Sequence, residues 1–319
     1  MAKSRERLRL DRLLAKTDQT FRDAFEKYVA DLTSPKVMAA ISDALERGDQ
    51  SAAEQIIRSH LVALGQAVPQ AIQIAAADAG AEAMGQFADS VIAFAFDPSH
   101  PRAAEIIRQE TLGFIQQMTD SQLDSIRYAI SEGFEAGAGT ASKANRVREA
   151  IGLTRSQLES VDRYRAALQS GTLDSLTREL RDRRFDRSVQ AVAAGRRMPF
   201  LDSEIDRMVA RYQERRLAAR AETIARTEST RATSIAREET YRQLQDTPGI
   251  GHNRRILRVW NATHDGRTRD WHASMQGQVR PIGVPFRDGH GHAVAYPGDS
   301  NAPAETVINC RCVLTMRLE

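Results

Sequence analysis

The chain has 319 residues, and its 45 Lys and Arg against 42 Asp and Glu leave a formal net charge of +3. This length allows two domains that each bury a core. The 27% charged and 6% aromatic residues are typical of a helical protein packed with small side chains. We expect no membrane-spanning stretch and no secretory signal. Two cysteines only one residue apart argue against a disulfide framework and favour a reducing cytoplasm.

Most of the chain before residue 248 carries helical patterns. Phe21, Phe25 and Val29 continue an apolar stripe with the spacing of an amphipathic helix. Further along, we predict one helix over 103–118 and another over 121–134, because Thr and Asp at 119 and 120 favour a helix start. The first half of the chain is therefore predicted to be helical.

The middle of the chain predicts further helices. Thr154 and Gln157 have the spacing of a capping box at a helix start. The charges of 173–194 alternate in sign, which predicts a solvated helix with internal ion pairs. The longest helical pattern begins at Asp202 and runs to residue 244. Within it, Glu228 with Arg231 and Glu222 with Arg226 are spaced to form ion pairs.

The last seventy residues change in character. The alternating pattern of 255–260 predicts a strand, Thr268 is the expected N-cap of a short helix, and 278–286 has the glycines and prolines of a β-hairpin. Pro303 fits the first residue of another short helix, after which a terminal strand is predicted to begin at Asn309.

These patterns predict a mainly α fold, with extended helical N-terminal and middle regions followed by a small α+β C-terminal module. We divide the chain into three regions, 1–138, 139–248 and 249–319. A glycine- and alanine-rich stretch near residue 138 and a Pro-Gly turn after residue 247 mark the two boundaries.

Two sulfurs and several imidazoles near the C-terminus suggest a metal site. Zinc accepts thiolate and imidazole ligands, so Cys310, Cys312 and His272 form the candidate set. A strand from residue 310 onward would instead place both cysteines in a row with Leu314, as buried apolar residues. Their Cα atoms would then lie about 6.6 Å apart. The sequence leaves both interpretations open.

A catalytic cluster is the other chemical hypothesis for this module. Asp265 could orient His272 or His264 as a general base, while Arg267 or Arg269 holds an anionic group. Against this, the sequence has no recognisable nucleophile turn and no glycine-rich phosphate loop. Asp and Arg residues beside a helix start are also common capping groups. A structural role for these residues is therefore favoured over a catalytic one.

The site and motif residues that we single out are Arg226, Glu228, Trp260, Asp265, Arg267, Thr268, Arg269, His272, Pro297, Gly298, Asp299, Asn309, Cys310 and Cys312. In their order and spacing these residues, together with Gly277, Phe286 and Pro303, resemble the head-morphogenesis domain of the Mu F-like minor head proteins of tailed bacteriophages. The segment 151–164 also resembles the helical part of that family. The resemblance covers roughly the second half of the chain.

The resemblance implies a structural protein of the virion, present in few copies inside the head near the portal and assembled in the host cytoplasm. Its expected partners are the portal protein and other capsid or scaffold proteins, and it would act in head assembly, DNA packaging or DNA delivery. Residues 1–138 would be the portal- or capsid-docking region. No enzymatic activity is expected, and no cofactor apart from zinc as the one candidate.

Two alternatives remain open. The C-terminal module could be a metal-dependent hydrolase or a toxin-like enzyme. The protein could also bind packaged DNA without sequence preference, through arginine contacts to phosphate.

Overall fold

A computed structural model describes residues 5–86, 94–135, 140–247, 255–263 and 265–318. The helices are α1 (Arg5–Leu32), α2 (Pro35–Glu46), α3 (Gln50–Gly65), α4 (Ala67–Gln86), α5 (Pro101–Glu135), α6 (Thr140–Ala150), α7 (Arg155–Gln169), α8 (Asp186–Ala193), α9 (Asp202–Asp246), α10 (Asp270–Ala273) and α11 (Ala304–Val307). The strands are β1 (Ile256–Asn261), β2 (Val279–Pro281), β3 (Phe286–Arg287), β4 (Ala293–Val294) and β5 (Val313–Leu318). This arrangement confirms the predicted mainly α fold with a small C-terminal α+β module. No described helix combines the length and apolar character needed to cross a membrane.

The chain forms two compact units, each assembled from separate stretches of sequence. The first unit comprises Met1–Ala24, Gly65–Phe114 and Glu222–Glu319, and the second comprises Phe25–Leu64 and Ile115–Ala221. The sequence-based boundaries near residues 138 and 248 lie outside the described residues. The division into three consecutive regions stays a prediction.

The second unit is entirely helical in its described part, and the start of α7 follows the sequence prediction. The hydroxyl of Thr154 accepts from the backbone N–H of Gln157, and the side chain of Gln157 accepts from the backbone N–H of Thr154. The capping box is therefore confirmed. Gly152, just before it, has φ +78°, and a Cβ there would lie 2.7 Å from a methyl of Leu217. Glycine at this turn lets the chain approach α9 closely.

One predicted helix break is absent. The single helix α5 replaces the two helices predicted over 103–118 and 121–134. The amide of Gln116 donates to the carboxylate of Asp120 one turn later, at 2.8 Å, and Thr119 is buried. Thr and Asp favour caps only weakly against packing, so a buried helix face overrides the local preference.

The charged segment 173–194 is also less helical than predicted. Two short 3₁₀ turns, Leu173–Thr177 and Arg183–Phe185, precede α8. The carboxylate of Asp182 accepts from the backbone N–H and the guanidinium of Arg184, at 3.1 and 3.0 Å. Such local side-chain hydrogen bonds compete with the helical backbone ladder and explain the interruption.

A three-stranded antiparallel sheet forms the centre of the C-terminal module. Strand β1 lies between β2 and β5, with Trp260 opposite Leu314 and Leu257 opposite Pro281. Strands β3 and β4 form a separate two-stranded sheet. The predicted hairpin over 278–286 is therefore wrong, because β2 pairs with β1 and β3 pairs with β4. The strand predicted over 255–260 is confirmed as β1.

The core of this module forms around Trp260, which is fully buried. The Trp260 ring meets the Phe286 ring edge to face, with centroids 5.2 Å apart. Tyr241 and Leu244, near the C-terminal end of α9, join the same core. Helix α9 runs from Asp202 to Asp246, as predicted, and most of its side chains after residue 227 are buried although many are polar. Buried polar groups require hydrogen-bond partners, and several on α9 find them in the C-terminal module.

Candidate functional site

The Arg-Thr-Glu segment of α9 binds the segment that contains the cysteines. The guanidinium of Arg226 donates to the side-chain oxygen of Asn309 at 3.3 Å, and the backbone N–H of Asn309 donates to the hydroxyl of Thr227 at 3.1 Å. One turn later, the hydroxyl of Thr230 donates to the carbonyl of Cys310 at 3.0 Å. Two motifs that lie eighty residues apart in sequence therefore form one contact.

The same helix holds the Pro297-Gly298-Asp299 loop. Arg231 pairs with Glu228 at 2.8 Å and also donates to the carbonyl of Gly298 at 2.8 Å, so the predicted Glu228–Arg231 ion pair is confirmed. Gly298 has φ +87°, and a Cβ at this position would lie 2.8 Å from backbone atoms of Arg231. Only glycine fits this close approach. Within the loop, Asp299 accepts from the backbone N–H of Ala295 at 2.8 Å.

Arg258, which the sequence analysis did not select as a site residue, anchors the other side of the module. Its side chain is buried, pairs with Glu238 at 2.8 Å, and donates to the carbonyls of Ala295 and Pro281 at 2.7 and 3.1 Å. The guanidinium also lies over the Phe286 ring, 5.0 Å from its centroid. The alternating pattern of β1 contains no signal for this role, because the acceptors lie in other segments of the chain, on α9, at the end of β2 and after β4.

Asp265 organises the turn before α10. Its carboxylate accepts from the backbone N–H of Arg267 at 3.0 Å, from the hydroxyl of Thr268, and from both terminal nitrogens of Arg311, one of them at 2.8 Å. The Arg311 guanidinium, followed by the Arg267 amide, lowers the pKa of Asp265 to about 2. The N-cap of α10 is Arg269, so the prediction that Thr268 caps this helix is wrong.

The imidazole of His272 lies between the two cysteine sulfurs. His272 Nδ1 is 3.6 Å from Cys310 Sγ and 3.4 Å from Cys312 Sγ, and all three residues are buried. Arg311, between the cysteines, points away to Asp265. The other imidazole nitrogen, Nε2, is buried and has no hydrogen-bond partner in the described part of the chain. The structure thus brings together the three predicted metal ligands.

The two thiols share their ionisation. The hydrogen bond between the sulfurs, together with burial, raises the pKa of Cys310. The same hydrogen bond lowers the pKa of Cys312, and His272 and the Trp260 indole lower it further. A lowered pKa favours the thiolate of Cys312, the form of cysteine that binds metal.

The predicted strand over residues 309–312 is wrong, but the predicted burial of both cysteines is confirmed, because they share a hydrophobic core with Leu314 and Met316. Strand β5 begins at Val313. Asn309 has φ +58°, a left-handed conformation that asparagine tolerates better than most residues, and the backbone N–H of Cys310 still bonds to the carbonyl of Val307. This bend replaces the extended geometry and lets both sulfurs reach the same imidazole.

The catalytic arrangement predicted for Asp265 does not occur with His272. The Asp265 carboxylate contacts Arg311, whereas the His272 ring contacts sulfur. The other proposed partner, His264, lies outside the described residues. The residues that the sequence suggested as acid–base partners are therefore used in separate contacts.

A basic cavity of about 290 Å³ opens beside the sulfurs. The residues that line it are Arg226, Thr263, Arg267, Thr268, Arg269, His272, Asn309, Cys310, Arg311 and Cys312. Of its arginines, Arg226 pairs with Glu222, as predicted, and Arg311 pairs with Asp265. Arg267 has no carboxylate partner among the described residues. The cavity therefore presents positive charge next to three metal-ligand side chains.

A second group of ligand-type side chains lies in the loop between β3 and β4. Asp288, His290 and His292 are close enough to be considered for a metal. However, Asp288 already accepts from the backbone N–H groups of His290 and His292, both at 2.9 Å, and its second oxygen lies 3.0 Å from His292 Nδ1. These bonds are typical of a carboxylate that stabilises a turn.

Residues 176–315 match the family model described as Phage Mu protein F like protein. Comparisons with curated proteins and with solved structures found no significant match. The matched segment contains α9, the Asp265 turn, the Pro297-Gly298-Asp299 loop and both cysteines, so the resemblance predicted from the sequence is confirmed. Over residues 176–315, the chain is therefore similar to the Mu F-like head-morphogenesis proteins of bacteriophages.

Proposed function

We propose that this protein is a minor head protein that binds the portal inside the phage head and acts in head assembly, DNA packaging or DNA delivery. The observation that carries the proposal is the family match over residues 176–315. The contacts of the matched residues support a structural rather than an enzymatic role. Most of them join segments of the module to each other, as with Arg231 and Gly298.

Purified virions and empty proheads offer the first test. We expect mass spectrometry to detect the chain in both particles at a small fraction of the copy number of the major capsid protein. Disrupted particles should release it together with the portal protein. Absence of the chain from virions and from proheads would contradict the proposal.

The positions of the lysines allow a more specific test of docking on the portal. No lysine follows Lys143, and Lys16, Lys27 and Lys36 are exposed. An amine-reactive cross-linker therefore reports on residues up to Lys143 and not on the C-terminal module. If the helices within residues 1–138 dock on the portal, these three lysines should cross-link to co-expressed portal protein. The major capsid protein is the matched control, and equal cross-linking to both would contradict a specific portal contact.

Contact with packaged DNA is a second candidate function, and the arginine-lined cavity favours it. Arginine suits bidentate contacts to phosphate. Binding of this kind releases counterions, so the affinity for duplex DNA of any sequence should fall steeply between 50 and 200 mM salt, the range over which such binding weakens by orders of magnitude. Affinity that is weak and insensitive to salt would exclude this function.

A further inference from the structure

We propose that His272, Cys310 and Cys312 bind one Zn²⁺ ion, whose fourth coordination position opens into the basic cavity and takes an oxygen of an oxyanion. The three ligand residues all lie within the C-terminal module. The proposed zinc site does not depend on which role the protein has in the phage head.

The distances between the ligand atoms fit a single ion. Tetrahedral zinc has Zn–S bonds of about 2.3 Å and Zn–N bonds of about 2.05 Å, which requires an N···S separation of roughly 3.6 Å. His272 Nδ1 lies 3.6 and 3.4 Å from the two sulfurs. The three ligand atoms all lie within 4.8 Å of one another. The two edges of the tetrahedron that meet at nitrogen are therefore already formed.

The backbone holds this geometry without the ion. Thr230 binds the carbonyl of Cys310, and Thr227 binds the backbone N–H of Asn309, so α9 fixes the start of the cysteine segment. His272 lies on α10, whose preceding turn is tied to the same segment by the Asp265–Arg311 pair. Ligands that are positioned from both sides bind a metal with a smaller loss of conformational entropy.

Burial and chemistry favour zinc over harder cations. The site offers two sulfurs and one imidazole and no carboxylate, a set that suits zinc and does not suit magnesium or calcium. Three protein ligands leave one position for solvent or another ligand, as in zinc sites with an open position. All three ligand residues line the cavity, together with Arg226, Arg267 and Arg269. These cations favour an anionic oxygen at the open position.

The metal content of the full-length chain is the first test. The protein should be purified with a tag that contains no histidine and then examined by native mass spectrometry. We expect one zinc per chain in the wild type and none in His272→Ala or in the double variant Cys310→Ser, Cys312→Ser. The matched control is His290→Ala, His292→Ala, which should retain the ion. Wild-type protein without metal, even after zinc is added, would overturn the proposal.

A second measurement uses wild-type protein and therefore does not depend on whether a variant folds. In wild-type protein, both thiols should react with a thiol reagent only after a strong chelator removes the metal. Cobalt substitution should give the visible bands of a tetrahedral ion together with thiolate-to-cobalt charge transfer. Thiols that react equally with and without chelator would show that S–H···N hydrogen bonds alone hold the cluster.

Inorganic phosphate is the probe for the open position. Phosphate should shift the visible bands of the cobalt-substituted wild type, and the concentration needed should rise at least tenfold in Arg267→Ala. Arg280→Ala, outside the cavity, is the control and should behave as the wild type. Cobalt bands that do not respond to phosphate would overturn the assignment of an oxyanion to the fourth position, independently of whether the protein is a head protein.

Discussion

Residues of the C-terminal module and of the α9 segment that packs against it fall into two groups that differ in what their side chains contact. The locking group, Glu228, Arg231, Arg258, Gly298 and Asp299, joins loops and strands to α9 and to each other. The cavity group, Arg267, Arg269, His272, Cys310 and Cys312, faces a basic cavity. The comparison shows that the segment matched by the family model contains both residues that stabilise the fold and ligand-type residues. Substitutions in the first group should cost stability, and those in the second should change ligand binding.

The largest effect is expected from Arg258→Met in the locking group. This change leaves Glu238 and the carbonyls of Pro281 and Ala295 without their buried donor, which should lower the free energy of unfolding by about 3–5 kcal/mol. The matched control is Arg242→Met, because Arg242 pairs with the same Glu238 but is about one-third exposed. Its cost should be about 0–1 kcal/mol in a denaturant titration. Equal costs would contradict the locking role of Arg258.

Gly298→Ala should have the next largest effect. The new methyl group would meet the α9 backbone at Arg231, and the left-handed conformation would be strained as well, so we expect a loss of roughly 1–3 kcal/mol. Gly291 has a similar φ of +85° with open space around its Cβ position, and Gly291→Ala therefore isolates the strain alone. Thermal melting should show Gly298→Ala to be the more destabilised. The reverse order would mean that the close approach to α9 does not matter.

Asp265→Asn should give a smaller effect that depends on pH. The pKa of Asp265 is lowered from 3.8 to about 2 in the folded protein, so its ionised form stabilises the fold above pH 3.8. That stabilisation is lost as the pH falls from 3.8 towards 2. The melting temperature of the variant should therefore lie below that of the wild type at pH 7, and the difference should disappear near pH 2. A difference that is constant with pH would rule out the ion pair with Arg311 as its cause.

The smallest change in stability is expected for Arg267→Ala in the cavity group. Arg267 has no carboxylate partner in the described part of the chain, so its removal should alter the free energy of unfolding by less than about 0.5 kcal/mol. The same variant should lose most of the phosphate response of the cobalt-substituted protein. A large loss of stability measured by denaturant titration would move Arg267 into the locking group.

The sequence allowed the fold class, the long helix α9, the strand β1 and the capping box at Thr154 to be predicted, because each depends on local periodicity or capping. It also pointed to His272, Cys310 and Cys312 through their ligand chemistry. Their common position could not be derived, since it depends on the left-handed turn at Asn309. That left-handed turn is held by contacts with α9, which lies far away in the sequence.

Other features required tertiary information from the start. Arg258 lies in a strand pattern that gives no sign of burial, and its carbonyl acceptors come from two separate segments, the end of β2 and the loop after β4. Thr227 and Thr230 look like ordinary polar positions of a long helix, yet both bind the cysteine segment. The same turn explains why the prediction of a terminal strand beginning at Asn309 was wrong. A pattern of alternation cannot reveal a bend that packing imposes.

One measurement tests the distinction between the two groups most directly: zinc stoichiometry and melting temperature determined side by side for wild type, Gly298→Ala and Cys312→Ser. We predict that Gly298→Ala melts at a lower temperature but still binds one zinc per chain. Cys312→Ser should lose the ion, and in the presence of chelator it should melt close to the wild type treated in the same way. If Gly298→Ala loses the zinc while Cys312→Ser keeps it, the assignment of locking and cavity groups is wrong.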